Sequence, residues 1–284
     1  MRLKSGMIGG IAVLMICSGM LSVFAEAASA SSFGVRNSAG IRNQPTDEPT
    51  FNWAGYVQSS TSGEFTAIED KWTVPTVVTS ATGDEYSQQI IGIGGYNSDS
   101  TTILVGTDAD NLNGKAHYDA FYQDENTGGT ENVFSDFSVK PGDVMTAEIW
   151  ESQAEGWNIS IADSRTHEAA AANIIIEGFD GGISAEAALD RPCLSGDCYV
   201  NAINYANLAK TSDITFPKGE VSISGPGTPS FVPLMSSVSN ATAYNLFMKN
   251  YDMDKIIACA SNPSSNNKGF TAAYGKSEPP PPNK

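Results

Sequence analysis

The chain has 284 residues, a formal net charge of −16 at pH 7, and only 17% charged residues. That acidity argues against nucleic acid and anionic membranes as partners, since both need a basic surface; it suits an acidic milieu, where carboxylates are protonated. With two histidines and no CxxC pair, no structural zinc site is expected, and nothing suggests a cofactor.

Arg2 and Lys4 precede an apolar run over residues 7–24, and Ala25 to Ala30 offer small-residue cleavage sites, so residues 1–30 read as a secretory signal peptide. Broken by Gly9, Gly10 and Gly19, the run is marginal as a membrane helix. The processed chain is therefore expected outside the cell, off the membrane, as a monomer. Residues 31–50, polar with Pro45 and Pro49, read as a flexible leader. Residues 51–275 carry almost only strand signals, and residues 276–284, with Pro279 to Pro282, form an extended, solvated tail.

Within the domain, Ile68, Trp72 and Val74 recur ahead of Pro75, and Gln89-Ile90-Ile91-Gly92-Ile93 stops at Gly94-Gly95. Residues 102–105 and 117–122 give an apolar and an aromatic strand, and Pro141-Gly142-Asp143 marks a turn before a strand over 144–150. Trp157, Ile159 and Ile161 alternate strictly, which puts them on one face. Helical signal is confined to residues 184–189 and 200–210, a turn or two each. Many short strands separated by turns predict an all-β fold, a two-sheet antiparallel β-sandwich with little helix. Cys193 and Cys198 can close a small disulfide loop, which leaves Cys259 unpaired.

Most catalytic chemistries find no support. Neither His117 nor His167 is accompanied by a GxSxG elbow, so a Ser-His-Asp triad is not expected. Asp108, Asp110, Asn111 and Asn113 before Gly114 resemble a calcium loop, but Leu112 falls where an oxygen ligand is required; a solvated turn is the expectation. Ala172-Asn-Ile-Ile-Ile-Glu177-Gly-Phe179 reads as a strand buried on both faces that ends in a carboxylate. Partial desolvation would raise the pKa of Glu177 and suit it to acid–base work; the plainer reading is a solvated strand end.

Taken together, several segments resemble the glutamic peptidases, or eqolisins, which are secreted acid endopeptidases with a concanavalin-like sandwich. Asn52-Trp53-Ala54-Gly55 is similar to that family's opening, Trp72-Thr-Val-Pro75 to its next strand, and Ile91-Gly92-Ile93-Gly94-Gly95 to its Val-Gly-Ile-Asp-Gly. Tyr118-Asp-Ala-Phe121-Tyr-Gln123 resembles Tyr-Asp-Ala-Trp-Tyr-Glu, Ala172 to Phe179 resembles Ala-Glu-Phe-Ile-Ile-Glu-Asp-Phe, and the Cys193–Cys198 loop resembles the family's short disulfide. The resemblance implies a polypeptide substrate, no cofactor and no metal. It casts Glu177 as the catalytic acid/base, with Trp53, Tyr118, Phe121, Gly94 and Leu104 lining the substrate site.

The family's catalytic glutamine orients the attacking water and hydrogen-bonds the oxyanion. It lies nine residues beyond the second glycine of the Gly-Ile-Asp-Gly strand, and the same count from Gly95 reaches Leu104, which has neither donor nor acceptor. Two readings follow. Either Gln123 supplies the amide from a neighbouring strand, or proteolysis is lost and the sandwich remains as an exported binding module for peptide or glycan.

Overall fold

The computed structural model describes residues 45–282 apart from 62–63, 80–82, 97–100, 125–129, 153–155, 177–178, 180–181, 195–197, 199–200, 224–229, 239 and 276. The segment expected as a signal peptide and most of the expected leader lie outside the described residues.

Alternation along the strands sets the architecture. In Gly156–Asp163, Trp157, Ile159 and Ile161 are buried and the residues between them half-buried, the signature of a strand with one covered face. In Gln88–Gly94 every residue is buried, so both faces are covered. Among the described residues two large sheets form a sandwich. The larger runs β14 (Ile214–Phe216), β19 (Phe270–Tyr274), β18 (Ile256–Ala260), β17 (Ala241–Lys249), β2 (Trp53–Ser60), β13 (Ser184–Asp190), β4 (Gln88–Gly94), β5 (Thr102–Asp108), β8 (Ala120–Asp124), β9 (Asn132–Val133), all antiparallel. A further strand, β1 (Thr46–Thr50), pairs in parallel with β17. The smaller sheet runs β12 (Ala169–Ile174), β11 (Gly156–Asp163), β10 (Val144–Ser152), β3 (Ala67–Thr73), β15 (Glu220–Ser222), β16 (Phe231–Pro233). A separate hairpin joins β6 (Asp110–Leu112) to β7 (Lys115–His117) through left-handed Asn113 and Gly114.

The main core lies between the sheets. Ile68, Trp72, Met145, Ile149 and Trp157 come from the smaller sheet, and Tyr56, Ile91, Ile93, Ile103 and Leu189 from the larger. A polar relay runs inside it: the Trp72 indole donates to Thr107 Oγ1 at 2.9 Å, and that hydroxyl donates to Gln89 Oε1 at 3.0 Å. A second apolar cluster covers the far face of the larger sheet, the outer face.

The all-β sandwich matches the expectation; several local details do not. Residues 184–189, expected as helix, are the central strand β13, because cross-strand pairing on both sides overrides the helix propensity of Ala185, Glu186, Ala187 and Ala188. Between residues 200 and 210 the described helix is a single 3-10 turn, Ala202–Asn204. The leader's last residues are ordered as β1. The strand expected to be buried on both faces is β12, an edge strand with alternating exposure that stops at Ile174 and leaves Ile175 70% exposed. The stretch expected as a solvated turn near Asp108 is largely buried, with Asp108, Asp110 and Asn111 all inside. In the tail, Pro279 is buried and Glu278 accepts from the Asn262 backbone N–H at 2.9 Å, so that segment packs on the domain. Cys193 and Cys198 are bonded, with S–S 2.04 Å. Cys259 is free and buried, and burial pushes its thiol up to about 11, which keeps it unreactive.

Candidate active site on the outer face

Strand register brings a set of side chains into one row. Gln123 on β8 is paired with Leu104 on β5, Leu104 with Gly92 on β4, Gly92 with Glu186 on β13, Glu186 with Val57 on β2, and Val57 with Tyr244 on β17. Because directly paired residues share a face, all six belong to the outer face, where Leu104 and Val57 join the second apolar cluster. Glu186 is fully buried there.

Gly92 is what allows the row to close up. A Cβ on it would lie 2.3 Å from Glu186 Oε1 and 2.4 Å from Leu104 Cδ2, so the carboxylate and the leucine methyl meet over the bare Cα. Gly92→Ala should therefore force two buried side chains apart and destabilise the fold by about 1–3 kcal/mol. A urea-unfolding midpoint equal to that of the parent would show that this packing is wrong.

The surroundings are aromatic and apolar. Trp53, Ile90, Tyr96, Phe121, Ala188 and Leu246 complete the outer cluster. Gly94 and Gly95 have φ of 86° and 90°, and together they turn the chain off the end of β4. A Cβ on Gly95 would lie 3.4 Å from Trp53 Cη2, so the indole reaches this turn.

A second row on the same face is polar. Asp190 is paired with Gln88 and with Trp53, and Gln88 with Asp108. The Gln88 amide donates to Asp108 Oδ1 at 3.0 Å and to Glu131 Oε1 at 2.6 Å. Burial lifts Asp108 well above the ordinary carboxylate range, with Glu131 and Asp110 adding to the rise. Burial likewise pushes Asp110 up to about 7, and Asp190 up to about 7 despite the hydrogen bond from Asn52. Gln88 sits four positions from Gly92, roughly 13 Å along the strand, so its amide is remote from Glu186. Among the described residues, no group of three or more His, Cys, Asp or Glu is placed to hold a metal ion.

The residues singled out by sequence are distributed unevenly around this row. Glu177 lies outside the described residues. Leu104 is in the row, beside Glu186. Gln123 is in the row too, but three strands from Glu186, roughly 14 Å at ordinary strand spacing, with Leu104 and Gly92 between. Trp53 and Phe121 belong to the outer cluster and Gly94 to the turn above it. Tyr118 stands apart: its ring packs on the main core and its hydroxyl accepts from the Val77 N–H at 3.1 Å. Glu186 was not recognised in the sequence. Its alternating neighbours, Ser184, Glu186, Ala188 and Asp190, carry a strand period, but the alanines masked it.

Residues 51–177 match the model of the Peptidase A4 family. Among solved structures, the fold is similar to scytalido-glutamic peptidase with a transition state analog inhibitor, at 16% identity and TM-score 0.58, covering 79% of this chain and 98% of that one. It is also similar to SCP-B, an eqolisin in complex with the tripeptide Ala-Ile-His, at 16% identity and TM-score 0.55 with the same coverage. Aspergilloglutamic peptidase from Aspergillus niger gives 17% identity and TM-score 0.50 over 67% of this chain and 99% of that one. No curated protein matches the sequence.

Proposed function

We propose, on the premise that residues 51–177 match the Peptidase A4 family model, that the chain is a degenerate glutamic-type peptidase. In this reading it is exported, takes polypeptide on the outer face of the larger sheet, and cleaves it slowly in acid. Glu186 holds the acid/base role that the linear resemblance gave to Glu177. It takes a proton from water as the oxygen attacks the scissile carbonyl, then returns a proton to the leaving amine.

One observation carries this reading. Leu104, which occupies the glutamine position by count, meets Glu186 over Gly92. An amide there would lie where water is to be oriented and an oxyanion held; leucine does neither. The tripeptide bound to SCP-B supports a polypeptide as ligand. The absence of an amide in the position next to Glu186 also favours a second reading, a binding module without turnover.

Protein digestion by Leu104→Gln and the parent, scanned from about pH 2 to 7, decides between them. Restoring one oxyanion donor should raise the rate about 100- to 1,000-fold. A Leu104→Gln protein no faster than the parent would overturn the assignment of this row. Peptide binding without cleavage in both proteins would establish the binding module.

A further inference from the structure

The N-terminal strand β1 is tied to the outer face. Tyr96 leaves the end of β4 after the Gly94-Gly95 turn, and its ring reaches Tyr244 on β17, with centroids 5.9 Å apart. In the sheet, β13 and β2 lie between β4 and β17, and they carry Glu186 and Val57 in the row that ends at Tyr244. Its backbone N–H donates to Ser184 Oγ at 3.3 Å, and its hydroxyl donates to Glu48 Oε2 at 2.7 Å. Glu48 belongs to β1, paired with Leu246 of the same apolar cluster. The strand is anchored elsewhere too. Asn245 Nδ2 donates to Asp47 Oδ1 at 3.0 Å, and the Trp53 N–H donates to Thr50 Oγ1 at 2.9 Å. Tyr96 is 7% exposed and Glu186 not at all, so a polypeptide reaches the carboxylate only if the outer face opens.

We propose that β1 is an intramolecular strap: the Tyr96–Glu48 hydrogen bond holds Tyr96 across the outer face and gates access to Glu186. The proposal rests on the reading of that face as the peptide site, but its first test does not need catalysis. Trp53 belongs to the outer cluster together with Tyr96, whereas Trp72 and Trp157 are sealed between the sheets. In a Trp150→Phe background, acrylamide quenching of tryptophan fluorescence therefore reports on opening of the outer face.

Glu48→Ala and Tyr96→Phe each remove the hydrogen bond, while Glu48→Gln keeps an acceptor for the tyrosine. Quenching should rise by about twofold or more in the first two and stay at the parent value in the third, as expected for a local opening. Protein digestion at acid pH should rise with it. Unchanged quenching in both Glu48→Ala and Tyr96→Phe, with thermal unfolding showing folded protein, would overturn the strap. Increased quenching with no digestion in any variant would uphold the strap and remove the peptidase reading instead.

Discussion

Glu186→Gln should reduce acid protein digestion by about 100- to 10,000-fold, the range that a general acid–base group contributes, while leaving the thermal unfolding curve near that of the parent. The substitution is nearly isosteric, so the packing over Gly92 and against Leu104 survives. What it removes is the ability to accept a proton from water, because an amide is neither a base nor an acid in the working range. Combined with Leu104→Gln, it should cancel the gain of that variant, since an oriented water without a base is not a nucleophile. Glu177→Gln is the necessary companion, because the linear resemblance selects that residue. If Glu177→Gln rather than Glu186→Gln silences digestion, the role returns to Glu177 and the outer-face row is structural.

The sequence carried the sandwich because the fold depends on period-two alternation, which survives wherever one face meets the core, as in Trp157, Ile159 and Ile161. It also carried the strand that holds Leu104, since an apolar run along one strand does not depend on how strands pair. It did not carry Glu186. Register is a property of strand pairs, and nothing local to Ser184–Asp190 says that Glu186 stands opposite Gly92 rather than one residue away. Ala185, Ala187 and Ala188 are small because β13 is packed on both sides: the backbone of Ala187 and Ala188 crowds Gly55, leaving no room for a Cβ there. In the one-dimensional pattern those alanines signal helix. Glu177 was more conspicuous because a run of isoleucines announces a buried strand, yet Ile175 is exposed at the end of an edge strand.

The fold itself should weaken on going from acid to neutral pH, the opposite of ordinary acid denaturation. Asp110 and Asp190 are both pushed up to about 7 by burial, and Asp108 lies well above the ordinary range. Carboxylates crowd the first of them: Glu131 and Asp119 raise Asp110 further, offset by the Ser87 N–H it accepts. On the far face of the smaller sheet, Glu220, Glu69 and Glu148 stand directly opposite one another on adjacent strands. Burial and the Glu69 charge raise Glu148, although Lys218 bridges to Glu69 at 2.6 Å.

In each case the folded state holds its proton more tightly than the unfolded chain does. For the buried Asp108, Asp110 and Asp190 this stabilisation is therefore fully present below the unfolded value, near pH 4, and is lost as pH rises toward 7, at up to roughly 1.4 kcal/mol per pH unit per group, whereas the exposed Glu148 is screened by solvent and adds little. Asp163, which is lowered by hydrogen bonds from Arg165 and Thr166, acts in the opposite sense but only below its ordinary range, outside this window. For a domain of this size 1 kcal/mol moves Tm by about 2–4 °C, so Tm at pH 7 should fall more than about 10 °C below Tm at pH 4. Asp110→Asn and Asp190→Asn should each flatten the slope, because a neutral amide has no proton to lose. A Tm that is level or rising between pH 4 and 7 would mean that these carboxyls are hydrated in solution and that the fold is not adapted to acid.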